Sequence, residues 1–371
     1  MYFKSFAHFA FLAPYLLFSP ILAQQQACNN SPLLCDRSYA NVTQLGAHNS
    51  AFIRDESNNF DVAGNQYFNS TEQLDAGVRL LTAQVHRSGS SNGAQEWHLC
   101  HSVCELMDAG RLSTWLSGIK RWLDNNENDV VTILLVNADG ATASDLDGEF
   151  QQADIVDYSF VPADTTQPLS NWPTLREMIA SNTRLVTFIA SLQPSQNTVA
   201  PYLLDEFTFI FENDFENFNA TDFDCNPARP GTLGTARSAA ETGRLFLMNH
   251  FLYEQQLFSI EVPFEDGANV TNSPVGTGSL GDHSIQCTRV YGRPPWAVLV
   301  DFFNVGPAID SVDALNSVQN AVGRKSVSNE VINAENPVNS EDSEGAAVSR
   351  GPSLTALVFP LALAILWIGA F

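Results

Sequence analysis

The chain has 371 residues, with 18 Lys and Arg against 41 Asp and Glu and a formal net charge of −23 at pH 7. Segments 1–23 and 346–371 read as removable. Without them 16 basic residues face 41 acidic ones, a net charge near −25. That balance excludes nucleic acid as a partner, because binding phosphate needs basic surface, and it gives no attraction to anionic lipid. It suits a soluble protein outside the cell.

Residues 1–23 read as a secretory signal: Lys4, then an apolar stretch rich in Phe and Leu, then Ile21-Leu22-Ala23 as a cleavage site. Pro14, Pro20 and the Gln24-Gln25-Gln26 that follow argue against a membrane anchor there. Six cysteines suit this route, as disulfides rather than zinc. Local pairing favours Cys28–Cys35 and Cys100–Cys104, which leaves Cys225–Cys287. Asn29, Asn41, Asn69, Asn219 and Asn269 each begin a glycosylation sequon.

The segment 24–322 is long for an ordinary domain and normal for an α/β barrel. Strands are expected at 42–46, 78–85, 130–136, 185–189, 207–211, 245–248 and 297–300, with an extra one near 96–99. Several are continuous apolar runs, as in strands buried on both faces. Helices are expected at 111–125, 175–181, 235–242 and 312–322. In the first of these Leu112, Trp115, Leu116, Ile119, Trp122 and Leu123 follow a helical period. The alternation predicts a parallel sheet with helices outside, closed as an imperfect or partly open (β/α)8 barrel of the TIM type. Residues 323–345 lack aromatics and read as a flexible stalk. The apolar run Leu354–Phe371 has no charge and no basic flank after it. With small residues Gly345-Ala346-Ala347 upstream, it has the pattern of a GPI-attachment signal. Gly345 is the expected attachment residue, Ser343 the next choice, and a tail anchor the alternative.

Chemistry in a barrel sits at the C-terminal ends of the strands. His48 and Asn49 follow the first strand, while Thr82, Gln84 and His86 lie along the second. His101 follows the 96–99 strand and Asn137 the 130–136 strand. Glu212, Asn249 with His250, and Asp301 close later strands. Two imidazoles across one site make a general base and a general acid. The order His48-Asn49-Ser50, Asp75-Ala76-Gly77-Val78-Arg79, then His101-Ser102 resembles the X-type catalytic domain of phosphatidylinositol-specific phospholipases C. The likeness is to the secreted, fungal-type branch of PLC-like phosphodiesterases. It covers 48–137 and returns at 296–301. The resemblance implies His48 as general base, Asp301 as the carboxylate that orients it, and His101 as general acid. His98 is then a strand residue, and Arg79 a structural one paired with Asp75 or a neighbour.

The chain also departs from that family. Where the calcium-dependent branch has carboxylates, Thr82, Gln84 and either Val136 or Asn137 stand here. A single neutral ligand, Asn49, makes a poor calcium site. The arginine of the metal-free branch is missing where Gln84 stands. His86, Arg87 or His250 are the candidates to replace it. The expectation is a monomeric phosphoric diester hydrolase with no metal and no cofactor. Catalysis falls to His48, His101 and Asp301, and substrate binding to Asn49, Gln84, His86, Asn137, Glu212 and Asn249. The substrate is a soluble or lipid-borne phosphodiester, and the membrane is reached through a GPI anchor. The alternative is an inactive barrel that binds partners at the cell surface or in the wall. A glycosidase built on Glu212 and Asp301 has no supporting motif.

Overall fold

The structure is a computed structural model that describes residues 26–336, apart from 90–94, 193–194, 196 and 257–259. The expected signal and anchor segments lie outside the described residues. In chain order the elements are β1 (Gln44–Ala47), α1 (Ser70–Ala76), β2 (Leu80–Gly89), β3 (Gln95–Cys100), β4 (Asp108–Arg111) and α2 (Leu112–Asn125). Then come β5 (Val131–Asn137), α3 (Ala143–Gln152), α4 (Leu175–Ala180), β6 (Leu185–Ala190), β7 (Leu203–Asp205), α5 (Glu206–Phe209) and β8 (Ile210–Glu212). The last are α6 (Ala236–Glu241), β9 (Leu245–Asn249), β10 (Tyr253–Gln255), β11 (Glu261–Pro263), α7 (Ala268–Thr271), α8 (Leu280–Tyr291), β12 (Ala297–Val300) and α9 (Ala308–Leu315). No helix among the described residues is long and apolar enough to cross a membrane.

Eight parallel strands lie in the order β7-β6-β5-β2-β1-β12-β9-β8, so the sheet curls round but stays open between β7 and β8. The four-residue α5 spans that gap. Successive side chains on a strand face opposite ways, and here they sort into two cores. Leu80, Leu134, Phe188, Leu247 and Leu299 pack with Tyr39, Trp172 and Trp296 inside the curl. Leu81, Ile133, Leu135, Met248 and Val300 pack outward with Leu116, Ile119, Phe150 and Leu280 of the helices. Gly46 faces inward. A β-carbon there would come within 2.5 Å of the Leu299 side chain and 3.0 Å of Leu80, so only glycine lets β1 sit at this point of the curl.

Several expectations need revision. The 96–99 strand is β3, antiparallel to β2 and off the parallel path. Residues 207–209 are helical rather than extended, because Asp205 caps the turn by accepting from the Thr208 amide. The last helix runs 308–315, not 312–322. Arg79 is a buried structural residue as expected; of the two alternatives, Asp75 or a neighbour, its partner is the neighbour Asp129 at 2.6 Å, and it also donates to Asn30. Asp75 instead accepts from Trp122 and Lys325. The start of the expected stalk is docked. Arg324 pairs with Asp313, Asn304 donates to the carbonyls of Ser328 and Glu330, and Ile332 is buried. The three disulfides are Cys28–Cys35, Cys100–Cys104 and Cys225–Cys287.

Candidate active site

The alternation that sorts the two cores also sorts the polar residues at the strand ends. In β1 the inward positions are Gln44 and Gly46, so His48 continues inward. By the same parity Thr82, Gln84, His86, Val136, Glu212, Asn249 and Asp301 belong to the inner face. Asn137 and His250 belong to the outer one. Two of the expected mouth residues are thereby corrected. Asn137 closes its own loop, donating to the Ala141 carbonyl and accepting from the Ala141 amide. His250 is fully buried against His283 of α8, so it cannot stand in for a phosphate-binding arginine. Arg87 lies over Trp97 instead.

His48 Nδ1 lies 2.9 Å from Asp301 Oδ1. The carboxylate accepts, so Nδ1 carries the hydrogen and Nε2 keeps its lone pair. Asn65 donates to the same Asp301 oxygen at 2.9 Å. Gln66 ties the two strand ends together by donating to the carbonyls of His48 and Val300. Phe251 covers one face of the His48 ring, and Tyr253 meets it edge-on with centroids 6.4 Å apart.

His101 lies on the loop closed by the Cys100–Cys104 disulfide. Its Nε2 is 3.3 Å from Asn49 Nδ2, and Phe52 stacks on its ring at 5.0 Å. Burial, and then the neighbouring His48, push its ionisation down to about 4. In this state the ring is neutral and accepts from the Asn49 amide. Gln84 joins the two histidine loops: its amide nitrogen is 3.4 Å from Asn49 Oδ1, and its oxygen accepts from the Ser102 amide at 3.0 Å. Thr82 fixes Asn49 from below by accepting its backbone N–H at 2.7 Å.

The residue after each of the three central side chains adopts a left-handed backbone: Asn49 (φ 49°), Ser102 (φ 62°) and Phe302 (φ 44°). Such a conformation is costly for a bulky residue like phenylalanine. It turns the chain sharply just beyond His48, His101 and Asp301.

The other expected residues fall elsewhere. His86 Nδ1 is 3.4 Å from Asp139. His98 lies between Asp108, at 2.8 Å, and Glu96. Glu212 pairs with Arg229 and accepts from Asn249 at 3.1 Å. Arg229 also lies over the Phe215 ring at 4.3 Å. Glu206 completes this group. Burial, and then Glu212, hold its carboxyl well above the usual range. Asn65, Phe52, Phe251, Tyr253 and Arg229 escaped the sequence reading. Asn65 and Arg229 sit in loops with no motif, and the aromatics read as core.

The PI-PLC X family model matches residues 34–316. The chain belongs to the PI-PLC X-domain family. It is 36% identical over 297 residues to "PI-PLC X domain-containing protein 1" of Arthroderma benhamiae, covering 80% of this chain and 91% of that one. An "Uncharacterized secreted protein" of the same fungus is 35% identical over 288 residues, which cover 77% of this chain and 62% of its own length. The phosphatidylinositol-specific phospholipase C of Listeria monocytogenes shares the fold, with a TM-score of 0.52 at 13% identity over 78% of this chain and 97% of that one.

Proposed function

We propose that this protein is a phosphodiesterase of the phospholipase C type, with His48 as general base and His101 as general acid. One observation carries the reading. The Asp301–His48 pair, 2.9 Å apart, leaves His48 Nε2 free as a base, and Asn49 links that histidine's loop to His101. His48 takes the proton of a hydroxyl next to the phosphate in the same substrate. Such a tethered nucleophile makes a cyclic phosphate first. Substrates are then diesters with an adjacent hydroxyl, as in inositol lipids. His101 protonates the leaving oxygen. Because burial and then His48 hold His101 neutral, the acid form must be raised by the phosphate itself, whose negative charge favours the imidazolium. No metal or cofactor takes part. The developing charge meets Asn49 and Gln84, which are neutral, so turnover is slow.

The protein acts outside the cell as a monomer, anchored through lipid attached at Gly345. The secreted relative supports the compartment. A second reading, a surface-binding barrel without turnover, is favoured by one fact: Thr82 and Gln84 are neutral and already engaged by Asn49 and Ser102. Assay of the purified ectodomain on inositol lipids and soluble cyclisable diesters, with and without chelator, separates the two. Turnover that chelator leaves intact and that disappears in His48→Ala and His101→Ala is expected. No turnover on any diester would leave the binding reading.

A further inference from the structure

His250 follows β9 on the outer face and meets His283 of α8, Nδ1 to Nδ1, at 2.9 Å. The far nitrogen of each ring faces a carbonyl. His250 Nε2 is 2.9 Å from Thr271 O, and His283 Nε2 is 2.9 Å from Asp224 O. A carbonyl can only accept, so both Nε2 atoms carry hydrogen. Two neutral rings would then press bare lone pairs together. One added proton turns that contact into a hydrogen bond.

We propose that His250 and His283 hold three protons on their four ring nitrogens, as one shared imidazolium, and that this pair positions His48 and Asp301. Two connections run from the pair to the site. His250 is followed by Phe251, the ring that covers His48. Thr271 is followed by Asn272, whose amide donates to the carbonyls of Asp301, Phe302 and Val305. The positioning half of the proposal rests on the acid–base reading of His48; the proton count does not.

Burial pushes the ionisation of His283 down; the charged group facing the pair is Asp224, in the loop before Cys225, whose backbone carbonyl and then charge oppose that push. Tyr291 of α8 faces the same loop and donates to the Cys225 carbonyl. Asp282, beside His283, turns to the Gly276 amide. The neighbours from α7 and β9, Thr271, Asn272 and Asn249, do not ionise, and Phe223 packs on both rings. Burial, and then the charge of His283, push further ionisation of His250 down to about 3, so a fourth proton enters only in strong acid.

The count fixes how folding depends on pH. Unfolded histidines titrate near about pH 6.5. Below that value the unfolded pair holds four protons against three in the fold, so stability rises with pH. Above it the unfolded pair holds two against three, and stability falls as pH rises until the shared proton leaves the fold. The contribution is therefore a peak near about pH 6.5, with flanks on the order of tenfold per pH unit in the folding equilibrium.

The test combines nitrogen NMR of histidine-labelled protein with denaturation of wild type and His283→Gln across pH. At pH 7 both Nε2 atoms should be protonated, with the two Nδ1 signals averaged around one far-downfield proton. The wild-type advantage over His283→Gln should be flat below about pH 6.5, where His250 in the variant also refuses its second proton, and should fall as pH rises above it. The ring-nitrogen signals of His48 should move in the variant. Two protons per pair at pH 7, or an advantage that stays flat above pH 6.5, overturns the shared proton. Unmoved His48 signals overturn the positioning role. If His283→Gln does not fold, the proton count on the native protein decides. Full activity in His48→Ala would instead sink the catalytic reading and with it the positioning half, while three protons per pair at pH 7 would leave the shared proton standing.

Discussion

Phe251 lies flat on the imidazole of His48, the ring centroids 3.8 Å apart and the planes 5° from parallel. An aromatic face favours a cation over a neutral ring. In the proposed mechanism His48 is a cation only while it holds the proton taken from the nucleophile, so the stack would stabilise the later state more than the earlier one. For Phe251→Leu, the lost cation–π support of about 1 kcal/mol should lower kcat about five- to tenfold and change KM little. Steady-state kinetics check this; an unchanged kcat would show that the ring only fills space.

Asp301 fixes which His48 nitrogen carries hydrogen. Asp301→Asn keeps the shape but lets the amide compete as a donor, so the reactive nitrogen is no longer reliably bare. Activity should fall by roughly 10³- to 10⁴-fold, with a melting temperature close to that of the parent. A product assay alongside thermal unfolding reports both. A tenfold loss or less would mean that Asp301 does not set the tautomer.

His101 should leave its mark on acid stability. Its ionisation is pushed down to about 4 by burial and by His48, so between about pH 6.5 and 4 the unfolded chain binds a proton that the fold refuses. The loss on acidification from this group approaches about 3 kcal/mol, an order-of-magnitude figure. It is fully felt below pH 4. His101→Gln should lose correspondingly less stability over that range in urea titrations. Parallel curves for the two proteins would refute the assignment.

Arg229 is the cation between two carboxylates, Glu206 and Glu212. Removing it as Arg229→Met strands buried negative charge, at a cost of about 3–5 kcal/mol. Adding Glu212→Gln should recover much of that loss. Equal stability of the single and double variants in denaturant would show that the pair is not coupled.

The anchor proposal predicts that the mature chain ends near Gly345. Mass spectrometry of protein released from intact cells by a phospholipase should find no peptide from 354–371. Recovery of that segment would support a membrane-spanning tail.

Much of the fold could be read in the sequence because buried parallel strands such as 130–136 and 297–300 are apolar on both faces. The His48 segment was legible because its turn is a local motif. What escaped depends on tertiary placement. Residues 207–211 carry three aromatics and an isoleucine, a strand composition, yet Asp205 caps a helical turn there to cross the open edge of the sheet. Arg79 lies four residues after Asp75, which suggests a pair, but it reaches Asp129 instead. Asn137 and His250 sit one residue beyond the inward position. A register error of one residue sends a side chain to the opposite face, and no composition signal distinguishes the two.

The three left-handed residues after His48, His101 and Asp301 also bear on transplanting this chemistry. A host scaffold given only the three side chains would relax at the following residue toward ordinary extended or helical backbone, and the rings would swing out of register. Glycine at those positions would ease the turn but lose the Asn49 amide that meets His101 and the Phe302 ring buried against Tyr67. The smallest portable unit of this site is therefore three dipeptides, each with its own backbone turn, rather than three residues.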